Sequence, residues 1–221
     1  KALEENRHKL EILNEKLHVV GSLTRHDVRN KLMTIRGKSF LLKKKLTIDK
    51  ESANLLNSID CVIDSANDLL EFSSLYEKIG SEELRQINVE ESFNQAVALH
   101  SGIKRVKIIN KCRGLKVIAD ALLTQVFYNF IDNSLIHGGQ VTTIQLYYEK
   151  QGKAVKLIYE DDGVGVPDDN KPLLFVNGFT TGSGMGLGLK LIKRLVEVYG
   201  WTIVEEGKPG FGVKFVIIVP G

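Results

Sequence analysis

The hydrophobic period changes once along this chain, near Gln86, and no single uniform fold accommodates both halves. Upstream, Leu3, Leu10, Leu13, Leu17 and Val20 follow alternating steps of three and four residues, with Asn6 in the remaining slot. That spacing is a heptad seam of about three repeats, and it predicts a helix that pairs with another helix. Continuing the register puts Thr24 and Asp27 on the seam and His26 just outside it. The helix is expected to run to about Leu46, with "TIDK" as a turn. A second stripe follows at Leu56, Ile59, Ile63, Ala66, Leu70 and Ser73, and Gly80 ends it. Two long helices with a short connection form an antiparallel hairpin. One hairpin exposes too much apolar stripe to stand alone, so a homodimer closing a four-helix bundle is expected.

Downstream the segments are shorter and mixed. "INVEESFNQAVALHSG" reads as a helix, "VKIINK" and "LKVIAD" as short strands, and "ALLTQVFYNFIDNSLIHGG" as a helix ending in two glycines. "VTTIQLYYEK" and "AVKLIYEDDG" alternate as strands across a turn at Gly152. "LKLIKRLVEVYG" is helical, and "WTIVEEGKPGFGVKFVIIVP" reads as a closing strand hairpin. Strands joined by hairpins with helices collected on one side describe an α+β sandwich. The expected organisation is therefore multi-domain: an all-α hairpin over residues 1–80, a linker over 81–87 and the α+β sandwich over 88–221.

Composition narrows the class. Of 221 residues, 43% are hydrophobic and 26% charged, the balance of a soluble globular protein. The net charge of +3 gives no argument for nucleic acid, and Lys38 with Lys43, Lys44 and Lys45 reads as a solvated helix face. Cys61 and Cys112 lie far apart without metal-ligand spacing, as in a reducing compartment. No apolar run reaches the roughly 18 to 20 residues that span a bilayer. The opening "KALEENRHKLEILNEKL" has no signal-peptide core and no cap. It reads as the inside of a longer helix, so an upstream sensor domain outside these residues, a cytoplasmic location and no membrane contact by this segment are expected.

Three stretches of the second half carry chemistry. In "YNFIDNSLIHG", Asn129 and Asn133 share a helix face, with His137 one turn on, while Leu123, Val126, Phe130 and Ser134 mark another, mostly apolar face. A carboxamide oxygen suits Mg2+, although two solvent-facing amides fit the spacing as well. In "EDDGVGVP", acids at a strand end precede Gly163 and Gly165. Such a turn lets backbone approach a flat ligand closely, and a strand-end carboxylate can accept a hydrogen bond from an exocyclic amine; a tight acidic turn is the alternative. In "TTGSGMGLGLKLIKRL", Gly182, Gly184, Gly186 and Gly188 alternate into a helix start. Bare amides at a helix start bind anions. No Gly-Lys-Ser/Thr follows, so this is not a Walker A loop, and no third glycine makes "DDGVG" a dinucleotide fingerprint.

In order and spacing these stretches resemble the Bergerat-type (GHKL) ATP-binding domain of histidine kinases, Hsp90, gyrase and MutL. "NFIDN" resembles the N box, "DDGVG" the G1 box, "LLFVNGF" the F box and "GSGMGLGL" the G2 box. Upstream, "TRHDVRNKL" is similar to the H box of a histidine-kinase dimerisation and phosphotransfer domain. The resemblance implies ATP and Mg2+, autophosphorylation of His26, and transfer to an aspartate on a response regulator receiver domain. It gives Asp27 the role of general base and Asn30 that of orienting water for dephosphorylation of the regulator. Asp161, rather than Asp162, takes the adenine amine, Asn133 the metal, with Asn129 one turn before it and His137 one turn after. Gly163 and Gly165 complete the G1 turn, Gly184, Gly186 and Gly188 lie near the phosphates, and Phe175 and Phe179 anchor the lid. Two departures follow: Ile136 stands where a basic residue is common, and "TTGSGM" holds no Lys or Arg, leaving Arg25 and Arg29 as candidates for phosphoryl charge.

Overall fold

The computed structural model describes residues 2–45, 49–100, 103, 105–176 and 186–221; side chains at 2, 3, 7, 10, 11 and 14 lie outside that description. The chain divides into two compact units, Lys1–Glu77 and Lys78–Gly221.

The first unit holds α1 (Ala2–Lys45) and α2 (Lys50–Lys78). Their antiparallel arrangement is written in a ladder of ion pairs. Arg25 binds Glu77 through both terminal guanidinium nitrogens, Arg29 meets Glu71 at 3.1 Å, Arg36 meets Asp64, and Lys43 meets Asp60 at 2.7 Å. As numbers rise along α1, those of the partners fall along α2. Exposed pairs of this kind contribute roughly 0.2–1 kcal/mol each, so they set register more than stability. Gly21 makes room for the bidentate pair: a Cβ there would come within 2.7 Å of the Glu77 carboxylate and 3.0 Å of Arg25.

The expected stripe of α2 is corrected at one position. Ile63 is buried and Leu56, Ala66, Leu70 and Ser73 are half-buried, but Ile59 faces solvent. Asp60 turns toward α1 instead, because Lys43 gives it a cation. Ile59 joins Leu55, Val62, Leu69 and Tyr76 in a second, exposed apolar stripe, and on α1 Leu13, Leu17 and Val20 are also exposed. Of the seam positions near the start, Leu3 and Leu10 lie outside the described side chains.

The Arg25 guanidinium holds the Glu77 carboxyl below its ordinary range. A depressed carboxyl stabilises the fold above its unfolded value, near 4.5, and that contribution is lost as pH falls through the folded value. Thermal melting of the hairpin should therefore fall between pH 5 and 3 by the amounts set by such pairs (about 0.2–1 kcal/mol for each). Glu77→Gln should flatten that dependence. An unchanged pH slope in the variant would show that the pair does not stabilise the hairpin.

The second unit contains β1 (Arg85–Asn88), α3 (Val89–Leu99), β2 (Lys107–Asn110), β3 (Lys116–Ala119), α4 (Leu123–His137), β4 (Thr143–Gln151), β5 (Ala154–Asp161), a 3-10 turn (Asp168–Leu173), α5 (Leu187–Val198), β6 (Thr202–Glu205) and β7 (Lys214–Val219). Spacing alone does not reveal β1, which pairs antiparallel with β3 and takes up the end of the segment expected to be a linker. Asn88 ends β1 and caps α3: its Oδ1 accepts from the amide of Glu90 at 3.1 Å, and its Nδ2 donates to the Glu91 carboxylate at 2.8 Å, which holds the capping side chain in place.

A five-stranded sheet runs in the order β2-β4-β5-β7-β6. β2 lies parallel to β4, and the remaining pairs are antiparallel. Strand alternation sends Ile144, Leu146, Leu157, Tyr159, Phe215 and Ile217 to a buried face. Phe130 of α4 stacks there between Tyr159 (5.0 Å between ring centroids) and Phe215 (4.7 Å). This packing fixes α4 over the sheet and so fixes the direction of its polar face.

Candidate nucleotide and phosphotransfer sites

Asp161 ends β5, where register pairs it with Ile144. Its side chain is buried, 7% exposed, and the protein supplies three donors to it. The amides of Gly163 (2.9 Å) and Val213 (3.1 Å) donate to Oδ1, and the Ser134 hydroxyl donates to Oδ2 at 2.5 Å. Ser134 has one proton and spends it there, so Tyr159, whose hydroxyl is 2.8 Å away, donates to Ser134. Burial raises the Tyr159 phenol well above its ordinary range and keeps that proton in place. A carboxylate offers about four acceptor positions; three are filled, leaving one on Oδ2 for a donor from a ligand.

Asp162 does different work. It is exposed, and it accepts from the Thr142 amide (2.8 Å), the Thr142 hydroxyl (2.5 Å) and the Thr143 amide (2.9 Å), tying the start of β4. Those hydrogen bonds hold its carboxyl below the usual range despite partial desolvation.

The two glycines after Asp161 are required by contact. A Cβ on Gly163 would stand 2.5 Å from the Gly138 carbonyl oxygen. Gly165 has φ +70°, and a Cβ there would stand 2.8 Å from the carbonyl oxygens of both Lys208 and Gly212. Gly212, which no motif singles out in the sequence, has φ +94°, and a side chain there would overlap the Asp161 carbonyl. Ser134 likewise escapes the motif reading. Its signal is a lone hydroxyl on the apolar face of α4.

On α4, Asn129 and Asn133 are half-buried and His137 is exposed. Asn129 donates to the Gln125 carbonyl at 2.8 Å, and its Oδ1 limits the approach of α5, where a Cβ on Gly188 would lie 2.9 Å away. The buried Nδ2 of Asn133 has no partner among the described residues. An unpaired buried amide has a desolvation cost of about 1–3 kcal/mol, which a ligand group would relieve. Burial raises the Asp132 carboxyl, against the pull of His100 and His137.

Gly186 takes φ +65° and opens α5 without a side-chain cap, leaving the first amides of the helix uncapped by any side chain. Phe175 meets Phe215 edge-on at 6.4 Å, with the Lys193 ammonium 5.6 Å above its ring. Phe179 and Gly184, together with Gly182, lie outside the described residues.

On the hairpin, the side chains of His26 and Asp27 are 71% and 76% exposed, with Nδ1 of His26 3.4 Å from Oδ1 of Asp27. Asn30 sits one turn on, its Nδ2 3.4 Å from both ring nitrogens. Arg25 and Arg29 are held by Glu77 and Glu71, so the structure uses both as hairpin ties.

Residues 119–221 match the family described as histidine kinase-, DNA gyrase B-, and HSP90-like ATPase. The alginate biosynthesis sensor protein KinB of Pseudomonas aeruginosa is 26% identical over 88% of this chain and 35% of its own length. The sensor histidine kinase ZraS of Escherichia coli O157:H7 is 27% identical over 93% of this chain and 47% of its own. The chain thus spans less than half the length of either relative. Among solved structures, full-length ShkA in complex with AMPPNP superposes with a TM-score of 0.66 at 24% identity, covering 90% of this chain and 45% of that one. The nucleotide-free catalytic domain of histidine kinase ThkA gives 0.55 at 25% identity, covering 63% of this chain and 96% of that one. A helical hairpin carrying an exposed histidine precedes the region that matches this ATPase family, and over both parts the chain is similar to sensor histidine kinases.

Proposed function

We propose that this protein binds ATP in its second unit, phosphorylates itself on His26, and passes the phosphoryl group to an aspartate of a response regulator. The observation that carries the reading is the exposed His26–Asp27 pair at 3.4 Å on α1. With Nδ1–H directed at Asp27, Nε2 keeps its lone pair. Nε2 bonds to the γ-phosphorus as the bond to the bridging oxygen breaks, and ADP leaves with that electron pair. Asp27 stabilises the imidazolium and takes the Nδ1 proton as general base. The regulator's carboxylate then attacks phosphorus, and His26 is released.

Asp161 would accept from the adenine amine, with Gly163 and Gly165 bringing backbone close to the ring. The amides after Gly186 and Gly188 would face the phosphates, an arrangement favoured by the helix dipole. Asn133 fits a magnesium ion through its carboxamide oxygen, and Asn129 stands one turn away on the same face. When bound, the ion would neutralise phosphate charge. The exposed stripes on both hairpin helices support a homodimer. No helix among the described residues is long and apolar enough to cross a membrane.

A second reading rests on Asn30, whose carboxamide lies beside His26. There it would orient water against a regulator's aspartyl phosphate, giving phosphatase activity. Incubation with γ-labelled ATP and Mg2+ separates the two. Label that is acid-labile and alkali-stable supports the kinase reading. No label, with release of phosphate from a phosphorylated regulator, would put the phosphatase first.

A further inference from the structure

The loop joining β6 to β7 forms the back of the Asp161 site, and its neck is closed by a buried carboxylate that no part of the proposed chemistry uses. Glu205 ends β6 with its side chain 1% exposed. Its Oε1 accepts from the amides of Gly207 (2.8 Å) and Lys214 (3.1 Å), spanning the two ends of the loop. Lys171, on the 3-10 turn, reaches the same neck. Its ammonium donates to the Gly207 carbonyl at 2.5 Å and lies 3.4 Å from Oε2 of Glu205 and 2.8 Å from Asp168. Within the loop, Gly210 donates to the Val164 carbonyl at 2.7 Å, and Val213 donates to Oδ1 of Asp161 while accepting from the Asp161 amide at 3.2 Å.

A buried carboxylate must be paired to be tolerated; here Oε1 is committed to the loop that supplies one of the Asp161 donors, while Oε2, without a hydrogen-bond partner among the described residues, faces the Lys171 ammonium. We propose that Glu205 and Lys171 are positioning residues for nucleobase selection: they hold the 206–213 loop so that Val213 N–H orients the Asp161 carboxylate toward an exocyclic amine. This rests on the assignment of Asp161 to the adenine amine. The pair touches no reacting atom; it acts through Val213.

The test compares ADP with IDP, which differ at the purine 6-position: only ADP carries the amine. Binding to the full chain is measured by calorimetry for wild type, Glu205→Gln and Lys171→Met. Glu205→Gln keeps an acceptor for the two amides and loses the charge facing Lys171, so it is the variant expected to stay folded. ADP affinity should fall about 5- to 10-fold in each variant, with IDP affinity changed less than twofold, so the ADP/IDP preference collapses. General loosening of the domain would lower both nucleotides together and would overturn the proposal, as would an unchanged preference. A wild type that binds ADP no better than IDP would overturn the assignment of Asp161, and the proposal with it. Amide hydrogen exchange at Val213 gives an independent reading: faster exchange in both variants is expected, and unchanged protection counts against the link.

Discussion

Replacing His26 with Gln should abolish acid-labile labelling from γ-labelled ATP while leaving ADP affinity within about twofold of wild type. Gln preserves helix propensity and polarity but offers no nucleophilic nitrogen, so the loss is complete rather than graded. The side chain is 71% exposed and packs against nothing that folding needs, so melting should not change. Asp27→Asn gives the graded case. It keeps a hydrogen-bond acceptor near Nδ1 but not a proton acceptor, and general-base removal costs typically 10²- to 10⁴-fold in rate. Retention of label in His26→Gln would move the acceptor elsewhere, and equal rates in Asp27→Asn would remove that residue's assigned role. Asn30→Ala should leave labelling within a few-fold and reduce phosphatase activity, because the carboxamide is beside the ring without bonding it closely.

The parts of this protein that are legible in its sequence are those fixed by local period. Both long helices, α3 to α5, and the β4–β5 and β6–β7 hairpins follow from spacing alone, and Gly152 (φ +62°) turns β4 into β5 as its residue type allows. What is not legible depends on partners far along the chain. β1 is the four residues Arg85–Asn88 with little apolar pattern, and only pairing with β3 makes it a strand. Ile59 belongs to the α2 stripe by spacing, yet Lys43 on the other helix draws Asp60 inward and rotates Ile59 out. Ser134 looks like a weak core position until Asp161 is placed beside it. Gly212 reads as one glycine among several until the close approach to the Asp161 carbonyl explains it. Arg25 and Arg29, attractive as phosphate ligands from their place beside His26, are committed to Glu77 and Glu71 on α2.

The network around Asp161 leads to the second large effect, because it can accept an amide without collapsing. In Asp161→Asn the oxygen can stay with the amides of Gly163 and Val213, as Oδ1 does now. The new NH2 group then faces Ser134, whose hydroxyl turns to accept it and donates instead to the Tyr159 oxygen. One buried hydroxyl proton, that of Tyr159, is then left without its acceptor, at a cost of about 1–3 kcal/mol, so melting should fall by several degrees without loss of the fold. The open position, however, changes from acceptor to donor, and an adenine amine would meet an N–H. Loss of a hydrogen bond to a charged group costs about 1.5–3 kcal/mol, or roughly 10- to 150-fold in affinity, and opposed donors add to it. ADP binding should therefore weaken by about 100-fold, with the labelling of His26 lost at ordinary ATP concentrations. Inosine nucleotides present an oxygen at the same place and should gain relative to adenine in this variant. That reversal of preference is what a direct contact predicts. Equal weakening of both nucleotides would mean that Asp161 shapes the pocket without touching the base.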